Sequence, residues 1–358
     1  MLRLVLTLLL WTPLLFAKTI NKQDLFETAP FESCHASTLV ELRDGSLLAA
    51  WFGGSGEGEP DVAIWTAHHT AAGWSQPTLL ARQPNVATWN PVLFHTSDGR
   101  LWLYYKVGPV VSDWTAARLV STDEGRTWSA PEYLPAGLLG PSRTKPFVGP
   151  HHLVLSGSST ESFHRWAVWI ERSTDGGRTF TRIGPYTLPD QAIQALASSS
   201  RNTNDHQIGE TGFSLTSGLI QPTILSLGRH HLRFYARGSS NISRICASDS
   251  FDDGRAWTTP HALSLPNPNS GFDLVRLHDG RIVLIFNPST VDRSPLALAI
   301  SRDGEHFRTF STLEDDPGQE FSYPALIQLS NGDLAATYTW HRTRIRSASI
   351  PLASVPQS

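Results

Sequence analysis

Six short segments of the sequence combine cationic, aromatic and amide side chains, and each stands directly before an apolar run. The segments are Cys34-His35, Trp89-Asn90, Arg143-Thr144-Lys145, Gln221, Asn269-Ser270 and Tyr323. A guanidinium group binds a planar anion through two parallel hydrogen bonds. Imidazole and phenol side chains can accept or donate a proton. If the fold brings the six segments together, they form a pocket for an anionic ligand.

A glycine-rich loop, FGGSGEGEPD, follows the first of the repeated apolar hairpins and carries three carboxyl groups. These belong to Glu57, Glu59 and Asp61. The glycines allow the loop to act as a flexible flap, and a carboxyl group at the pocket could donate a proton. Asp61 begins a strand and could equally cap the end of that strand, whereas Glu57 and Glu59 could be solvated.

Other residues could complete such a pocket. Arg342, in the segment TYTWHRTRI, adds a cation, and Trp340 beside it could stack on the face of a sugar. His206 and Glu210 lie in a Ser-, Thr-, Asn- and Gly-rich stretch, 198–218, which predicts a loop over one face of the fold. We expect these side chains to reach over the pocket.

The elements that must position these residues repeat along the chain. One unit, made of a strand, a turn with Asp-Gly or an equivalent, and two more strands, occurs six times. Its copies start at residues 38, 91, 145, 222, 272 and 324, and the third copy lacks the Asp-Gly turn. Asp-Gly between alternating apolar runs is a strong β-hairpin signal, and a spacing of about 50 residues is that of a propeller blade. The pattern predicts an all-β fold, a six-bladed β-propeller of four-stranded antiparallel blades, as a single domain over residues 18–358.

Two more segments complete the predicted fold. A strand near Ile20–Phe26 would pair with the last blade and would remove an exposed sheet edge. Asp190–Ser200, which precedes the fourth copy, predicts one short helix.

The third strand of several repeats ends in the same turn, of the form S-T-D-E-G-R-T-W. Clear copies begin at Ser121, Ser173 and Ser250, and a shortened copy begins at Ser301. In each copy the Asp can cap the turn through backbone hydrogen bonds, the Gly supplies a positive φ angle, and the aromatic ring packs beneath. We therefore expect these carboxylates to have a structural role and no catalytic one.

The ends and the charge of the chain limit where it works and what it binds. Arg3, the apolar run Leu4–Phe16 and Ala17 predict an export signal over residues 1–17, with a retained membrane anchor as the alternative. We expect the protein to be exported, periplasmic or secreted, and monomeric. The formal net charge is -3 with both signs interspersed, so no basic patch indicates nucleic acid. No metal motif is present, and we expect no cofactor.

The turns, in phase with six hairpins, resemble the Asp-box repeats of the sialidase superfamily, and the resemblance covers nearly the whole mature chain. It implies three arginines that bind the carboxylate of a sugar, a Tyr nucleophile assisted by a Glu, and an Asp that acts as acid and base. Arg237 in RFYARG and Arg293 after LIFNPSTVD resemble the second and third arginines. Tyr323 in FSYPALIQL holds the position of the nucleophile. The Asp would come from the loop that carries Glu57 and Asp61.

Two positions depart from the pattern of the superfamily. His35 stands where the first arginine is expected, and Gln221 stands where the Glu is expected. A neutral imidazole cannot clamp a carboxylate through two hydrogen bonds, and an amide cannot act as a base. Arg143 and Lys145 could supply the missing positive charge.

Three functions are compatible with this set of residues. The first is an exo-acting, sialidase-like glycoside hydrolase on a terminal acidic sugar, with Tyr323 as nucleophile or electrostatic stabiliser. The second is a polysaccharide lyase on a uronic acid, with His35 and Tyr323 as base and acid. The third is a propeller that binds an acidic glycan without turnover. The candidate catalytic residues are His35, Glu57, Asp61 and Tyr323. The candidate substrate-binding residues are Asn90, Arg143, Lys145, Gln221, Arg237, Arg293 and Arg342.

Overall fold

The computed structural model describes residues 19–199 and 217–357, and within them the chain is built almost entirely of β-strands. The α-helix α1 spans Asp190–Ser199, where the sequence predicts a short helix. Short 3-10 turns occur at Val111–Asp113 and Leu352–Ser354. Within these two ranges, no helix is both long enough and apolar enough to cross a membrane.

Two sequence-based predictions concern residues outside the described ranges. These are the export signal over 1–17 and the placement of His206 and Glu210 above the pocket. They stay predictions.

The strands form six blades, numbered here in chain order, and neighbouring strands within each blade pair antiparallel. A short parallel pairing of Arg165–Trp166 with Ser217–Gly218 joins blades 3 and 4 into one sheet. The first strand in each list lies innermost. Blade 1 contains β2 (Ser33–Glu41), β3 (Leu47–Gly54) and β4 (Ala63–Thr70), with β5 (Gly73–Trp74) and β6 (Thr78–Ala81) both paired to β4. Blade 2 contains β7 (Thr88–His95), β8 (Leu101–Val107), β9 (Thr115–Ser121) and β10 (Glu132–Tyr133). Blade 3 contains β11 (Phe147–Val148), β12 (Val154–Glu161), β13 (Arg165–Ser173) and β14 (Thr181–Tyr186).

The second half of the ring repeats the same order. Blade 4 contains β15 (Ser217–Gly228), β16 (His231–Gly238), β17 (Arg244–Ser250) and β18 (His261–Pro266). Blade 5 contains β19 (Asp273–Arg276), β20 (Ile282–Phe286), β21 (Leu296–Ser301) and β22 (Arg308–Glu314). Blade 6 contains β23 (Phe321–Gln328), β24 (Leu334–Trp340) and β25 (Arg344–Ile350), and β1 (Asn21–Asp24) is its outermost strand. The all-β, six-bladed prediction is confirmed.

The first strand of the chain completes the last blade. β1 pairs antiparallel with β25, from Asn21 opposite Ser349 to Asp24 opposite Arg346. Arg346 Nε donates a hydrogen bond to Asp24 Oδ1 at 2.8 Å, and Leu25 N donates one to Ile345 O at 2.9 Å. This pairing joins the two ends of the chain and confirms the expected closing strand.

Apolar side chains between neighbouring blades make the core. Phe52 of blade 1 belongs to one cluster with Leu103 and Tyr105 of blade 2. Leu298 of blade 5 and Tyr338 of blade 6 belong to another. Burying a side chain of this kind stabilises a fold by about 1.5–3 kcal/mol. The blades therefore hold one another face to face and fix the position of their innermost strands.

The repeated turns have the predicted architecture. In the first copy, Thr127 N and the Thr127 hydroxyl donate to Asp123 at 2.9 and 2.6 Å. Gly125, with φ of 81°, donates its backbone N–H to Ser121 Oγ at 2.8 Å. The Trp128 indole donates to Gly125 O at 3.1 Å. The hydrogen bonds that Asp123 accepts from Thr127 and from the Ser121 hydroxyl lower its pKa to about 2, the Thr127 hydroxyl contributing most.

The second of these turns gives a test of that architecture. Asp175 accepts hydrogen bonds from the hydroxyl groups of Ser173 and Thr179 and from the backbone of Arg178 and Thr179. Asp175→Ala leaves those donors without their acceptor, so we expect the free energy of unfolding to fall by about 1–3 kcal/mol.

Equilibrium unfolding in urea measures this difference. The control is Asp315→Ala, which removes an exposed carboxylate and should change stability by less than about 0.5 kcal/mol. Equal stability of the two variants would mean that the Asp175 carboxylate does not hold its turn.

Candidate active site

Residues in the left-handed backbone region stand within the first five residues of four inner strands and, for Asn269, just before a fifth. Their φ angles are 56° at Ala36, 42° at Asn90, 52° at Gln221, 55° at Asn269 and 49° at Tyr323. Non-glycine residues seldom adopt this region. In four of the five strands the pairing register shifts at the same place, which marks a β-bulge. A bulge turns a side chain away from the regular alternation of its strand, and here the turned side chains meet at one mouth of the ring.

Three guanidinium groups surround the ring of Tyr323. The Cζ atoms of Arg143 and Arg293 each lie 5.4 Å from the ring centroid, and that of Arg237 lies 5.5 Å from it. The imidazole of His35 packs against the same ring with 4.1 Å between centroids. A cation within about 6 Å of an aromatic centroid is attracted to it. The structure thus brings five of the predicted site residues into one cluster.

Arg237 is the most fully bonded residue of this cluster. Its Nη1 donates to Tyr323 Oη at 2.5 Å and to Gln221 Oε1 at 3.2 Å, and its Nε donates to Asn269 Oδ1 at 2.7 Å. Tyr323 and Gln221, which stand at bulges, and Asn269, which precedes β19, therefore orient one buried guanidinium. Arg237 and Tyr323 are thus in direct contact, and the contact of both with one ligand stays a prediction.

Glu320 links two further arginines. Its Oε1 accepts from Arg293 Nη1 at 2.7 Å and from the Ser322 hydroxyl at 2.5 Å, and its Oε2 accepts from Arg342 Nε at 2.8 Å. Burial works to raise the pKa of this carboxyl, but the positive charges of Arg293 and Arg342 outweigh it and hold the pKa well below its usual range. Glu320 is therefore ionised, and it offsets part of the positive charge at the mouth.

His35 lies beneath Tyr323 and is shielded from solvent. Only 1% of its surface is exposed, and its Nδ1 is 4.0 Å from Glu320 Oε1. Burial holds the pKa of His35 well below its ordinary value of 6.5, and the positive charge of Arg342 acts in the same direction. His35 is a neutral imidazole at neutral pH.

Arg143 supports the cluster from below. One of its nitrogens, Nη2, donates to the carbonyls of Phe272 and Pro324, both at 2.6 Å, and so ties blade 3 to blades 5 and 6. Burial lowers the pKa of Arg143 to about 10, which leaves it protonated at neutral pH. Its Nε and Nη1 are buried and have no hydrogen-bond partner among the residues described.

A buried lysine and a buried glutamate hold the segment that leads to Arg143. Lys106 donates to Leu139 O, and to Pro141 O at 2.7 Å. Glu171 accepts from the backbone N–H groups of Leu139 and Gly140, both at 2.8 Å. Burial lowers the pKa of Lys106 to about 7. Lys106 of blade 2 and Glu171 of blade 3 thus together hold the segment that positions Arg143.

Lys145 points away from this cluster. Its ammonium donates to Asp273 Oδ2 at 2.7 Å and to Leu326 O at 2.8 Å. Asp273 Oδ2 also accepts from Leu326 N at 2.8 Å. The charge of Lys145 is therefore paired with Asp273 between blades, and a contact with substrate stays a prediction.

The glycine-rich loop crosses the mouth from blade 1. Glu57 forms an ion pair with Arg342, so the flap is attached to blade 6. Gly58 has φ of 88°, and a Cβ atom at this position would lie 3.1 Å from the indole of Trp89. The close approach requires glycine, and it seats the flap on blade 2.

The other candidates of the mouth are placed less centrally. Both oxygens of Asp61 accept hydrogen bonds from Ser55, at 2.9 Å from the backbone and 2.8 Å from the hydroxyl, which closes the base of the flap. This arrangement favours the capping role for Asp61. Glu59 is exposed. Asn90 is buried at the start of β7, with 4% of its surface exposed.

Sequence reasoning missed two carboxyl groups of the mouth. Glu320 stands three residues before Tyr323, in QEFSYP, and its place just ahead of an inner strand was an available signal. Glu161 ends β12, the second strand of blade 3, in the stretch SGSSTES. Nothing local distinguishes it from a solvated loop residue, yet only 8% of its surface is exposed.

A groove lies elsewhere on the described surface. It has a volume of about 520 Å³ between blades 2 and 3, with Arg118, Glu132, Phe180 and Arg182 in its wall. Arg118 is already paired with Glu132 at 2.8 Å. We place the candidate site at the channel mouth because several buried charged side chains converge there on Tyr323. Among the described residues, the groove has no such convergence of buried charged side chains. No group of three or more His, Cys, Asp or Glu side chains that could hold a metal ion occurs in residues 19–199 and 217–357.

Comparison with known families shows to which family the chain belongs. The BNR repeat-like domain matches residues 45–336, which include all six hairpins except parts of the first and the last. The chain belongs to the BNR repeat-like family. No curated protein matches the sequence of this BNR-repeat protein.

Solved structures with the same fold include several sialidases. The NanB sialidase of Streptococcus pneumoniae has a TM-score of 0.68 and 11% identity, with 93% of this chain and 71% of that chain covered. The leech intramolecular trans-sialidase has a TM-score of 0.69 and 14% identity, with 93% and 70% covered. A protein of unknown function from Dyadobacter fermentans has a TM-score of 0.73 and 14% identity, with 93% and 99% covered. At these identities the likeness establishes the fold, and this BNR-repeat protein has a sialidase-like propeller.

The buried imidazole gives a pH-dependent prediction. The pKa of His35 is lowered in the folded state, so below about pH 6.5 the unfolded state binds a proton that the folded state does not. The free energy of unfolding therefore decreases as pH falls through 6.5. We expect His35→Gln to reduce this decrease by up to about 1.4 kcal/mol for each pH unit.

Urea unfolding at several pH values from about 5 to 7.5 measures the slope. His278→Gln, which replaces an exposed imidazole, serves as the control and should keep the slope of the wild type. An unchanged slope in His35→Gln would contradict the neutral, buried state of His35.

Proposed function

We propose that this protein is exported and carbohydrate-active, and that it is an exo-acting, sialidase-like glycoside hydrolase that removes a terminal acidic sugar. The observation that carries the proposal is the packing of Arg143, Arg237 and Arg293 around Tyr323. A monoanionic sugar fits such a site because guanidinium groups match a carboxylate in shape and charge. Several proteins with the same fold are sialidases, which supports a glycan ligand.

The charges of the mouth leave room for an anionic ligand. Arg143, Arg237, Arg293 and Arg342 contribute four positive charges. Glu320, bonded to Arg293 and Arg342, and Glu57, paired with Arg342, contribute two negative charges, so the four arginines are not fully neutralised by the carboxylates bonded to them. Among the described residues, Nη2 of Arg237 and Nη2 of Arg342 have no hydrogen-bond acceptor. We assign the substrate carboxylate to these donors and to Arg293.

Tyr323 is then the group next to the reacting carbon. In this proposal its oxygen either bonds to that carbon or stabilises the positive charge that develops there as the glycosidic bond breaks. Arg237 fixes the position of that oxygen through the 2.5 Å hydrogen bond. Gln221 and Asn269 hold Arg237 in turn.

The burial of His35 favours hydrolysis over a lyase reaction. A lyase base must reach the hydrogen beside the carboxylate of a uronic acid, but His35 is 1% exposed and covered by Tyr323. A lyase would form an unsaturated uronate, which absorbs ultraviolet light, whereas a hydrolase forms none. A propeller that only binds glycans would form no product.

Tyr323→Phe tests the hydrolase. The variant keeps the ring that packs on three guanidinium groups and loses only the hydroxyl, so we expect kcat to fall at least about 100-fold while folding is retained. Release of acidic monosaccharides from a panel of glycans, followed by mass spectrometry, measures the activity.

The matched control is Tyr133→Phe, because Tyr133 is 50% exposed and lies on the outer strand of blade 2. It should keep the activity of the wild type. Undiminished release of acidic sugar by Tyr323→Phe would rule out this use of Tyr323.

A further inference from the structure

A tyrosine that attacks carbon needs a neighbour that accepts its proton, because a phenol is a weak nucleophile. Among the described residues, Tyr323 Oη has one hydrogen-bond partner, and that partner is the donor Arg237. Gln221 is the next polar group, 3.2 Å from the same guanidinium nitrogen. Neither side chain can take up a proton, since arginine stays protonated and an amide is not a base.

Most carboxyl groups at the mouth are already engaged. Glu320 is held by two arginines, and Glu57 is paired with Arg342. Asp61 accepts two hydrogen bonds from Ser55, and Asp273 is paired with Lys145. A carboxylate bound to a cation is a poor proton acceptor, because the cation favours its ionised form.

Glu161 is the carboxyl group that differs. It forms no ion pair within 4 Å in the described part of the chain, and it lies opposite Trp166 in the pairing of β12 with β13. The ring of Trp166 is 5.9 Å from the Cζ atom of Arg237. Glu161 therefore lies on the same face of the sheet as the indole that Arg237 approaches.

A second contact places Glu161 beside Gln221. Ser159, two residues earlier on the same face of β12, donates its hydroxyl to Glu161 Oε1 at 3.2 Å. The same hydroxyl oxygen is 3.5 Å from the backbone nitrogen of Gln221 and 2.8 Å from the hydroxyl of Ser142. One serine thus separates the Glu161 carboxyl from the start of β15.

The surroundings of Glu161 suit the uptake of a proton. Burial raises the pKa of its carboxyl, Arg237 and Lys106 act in the opposite direction, and the negative charge of Glu57 adds to the increase. A carboxyl group with a raised pKa is a stronger base than a solvated one and can exchange a proton nearer to neutral pH.

We propose that Glu161, from blade 3, accepts the phenolic proton of Tyr323 and so supplies the carboxylate that Gln221 cannot. The inference rests on the proposed glycosidase function.

As the Tyr323 oxygen bonds to the anomeric carbon, its proton passes to Glu161 and the glycosidic bond breaks, with its electron pair on the leaving oxygen. That oxygen takes a proton from water. When a second water then attacks the anomeric carbon, the Tyr323 oxygen leaves and recovers the proton of Glu161, and the attacking water releases its own proton to solvent.

The first test compares leaving groups. Because the proton acceptor assists the attack by Tyr323, Glu161→Gln should lower kcat about 100- to 10,000-fold with little change in KM. The loss should be similar for an aryl glycoside with an activated leaving group and for a natural disaccharide. A loss confined to the natural disaccharide would assign Glu161 to protonation of the leaving group and would overturn the proposal.

Glu132→Gln, in the outer groove between blades 2 and 3, is the control and should keep full activity.

The second test moves the carboxyl group between blades. In Glu161→Gln combined with Gln221→Glu, a carboxylate returns to the neighbourhood of Tyr323 from blade 4. We expect at least a tenfold recovery of kcat over Glu161→Gln, about 1.4 kcal/mol. A merely structural role of Glu161 predicts further loss in the double variant, and that result would overturn the proposal.

A third measurement does not depend on turnover. The ionisation of Tyr323 is followed as the ultraviolet difference absorbance between the wild type and Tyr323→Phe. A carboxylate near a phenolate disfavours it, so Glu161→Gln should shift this titration to lower pH. If the wild type cleaves no acidic glycoside but the titration shifts, the hydrolase proposal fails and the link between Glu161 and Tyr323 stands. An unchanged titration overturns the link in either case.

Discussion

The crowding of like charges around one aromatic ring is the constraint on which the rest of the site depends. Arg143, Arg237 and Arg293 all approach Tyr323 to within 5.5 Å, although guanidinium groups repel one another. The protein offsets the repulsion in three ways. Glu320 neutralises Arg293, backbone carbonyls hold Arg143, and amide oxygens hold Arg237. The arrangement is pre-organised, since each cation is fixed by its own partners before a ligand arrives.

The backbone makes this crowding possible. Four inner strands carry a bulge at their start, with a side-chain-bearing residue in the left-handed region. Backbone strain of this kind costs on the order of 1–3 kcal/mol for each residue, and it persists only where the surrounding structure enforces it. The inter-blade core and the capped turns supply that support. The strained backbone at the mouth therefore lowers the stability of the fold, and the same backbone turns the side chains toward the Tyr323 cluster.

The sequence predicts the fold well because the signals are local. Six hairpin turns, repeated Asp-boxes and a closing strand near Ile20–Phe26 each depend on a few adjacent residues, and each has the predicted form. The cluster of Arg237, Arg293 and Tyr323 also follows from the register of the repeats. A further local sign is the proline that follows Asn90, Gln221 and Tyr323 at the bulges.

The partners of the site could not be predicted in the same way. Glu161 lies on a second strand, and whether such a carboxyl group is buried depends on blades distant in sequence. The ion pair of Lys145 with Asp273 joins residues 128 positions apart, so the spacing of cations alone could not exclude Lys145 from the mouth. The neutral state of His35 depends on burial beneath Tyr323, which is likewise a property of the assembled ring.

The pairing of β1 with β25 imposes an order on the synthesis and folding of the protein. The first described strand leaves the ribosome more than 300 residues before the strand that it must join. Until Arg344–Ile350 has been synthesised, the earliest strand has no neighbour and the last blade is missing. The ring can close only after Arg344–Ile350 has been synthesised, so the growing chain must keep an unpaired edge from aggregating until then.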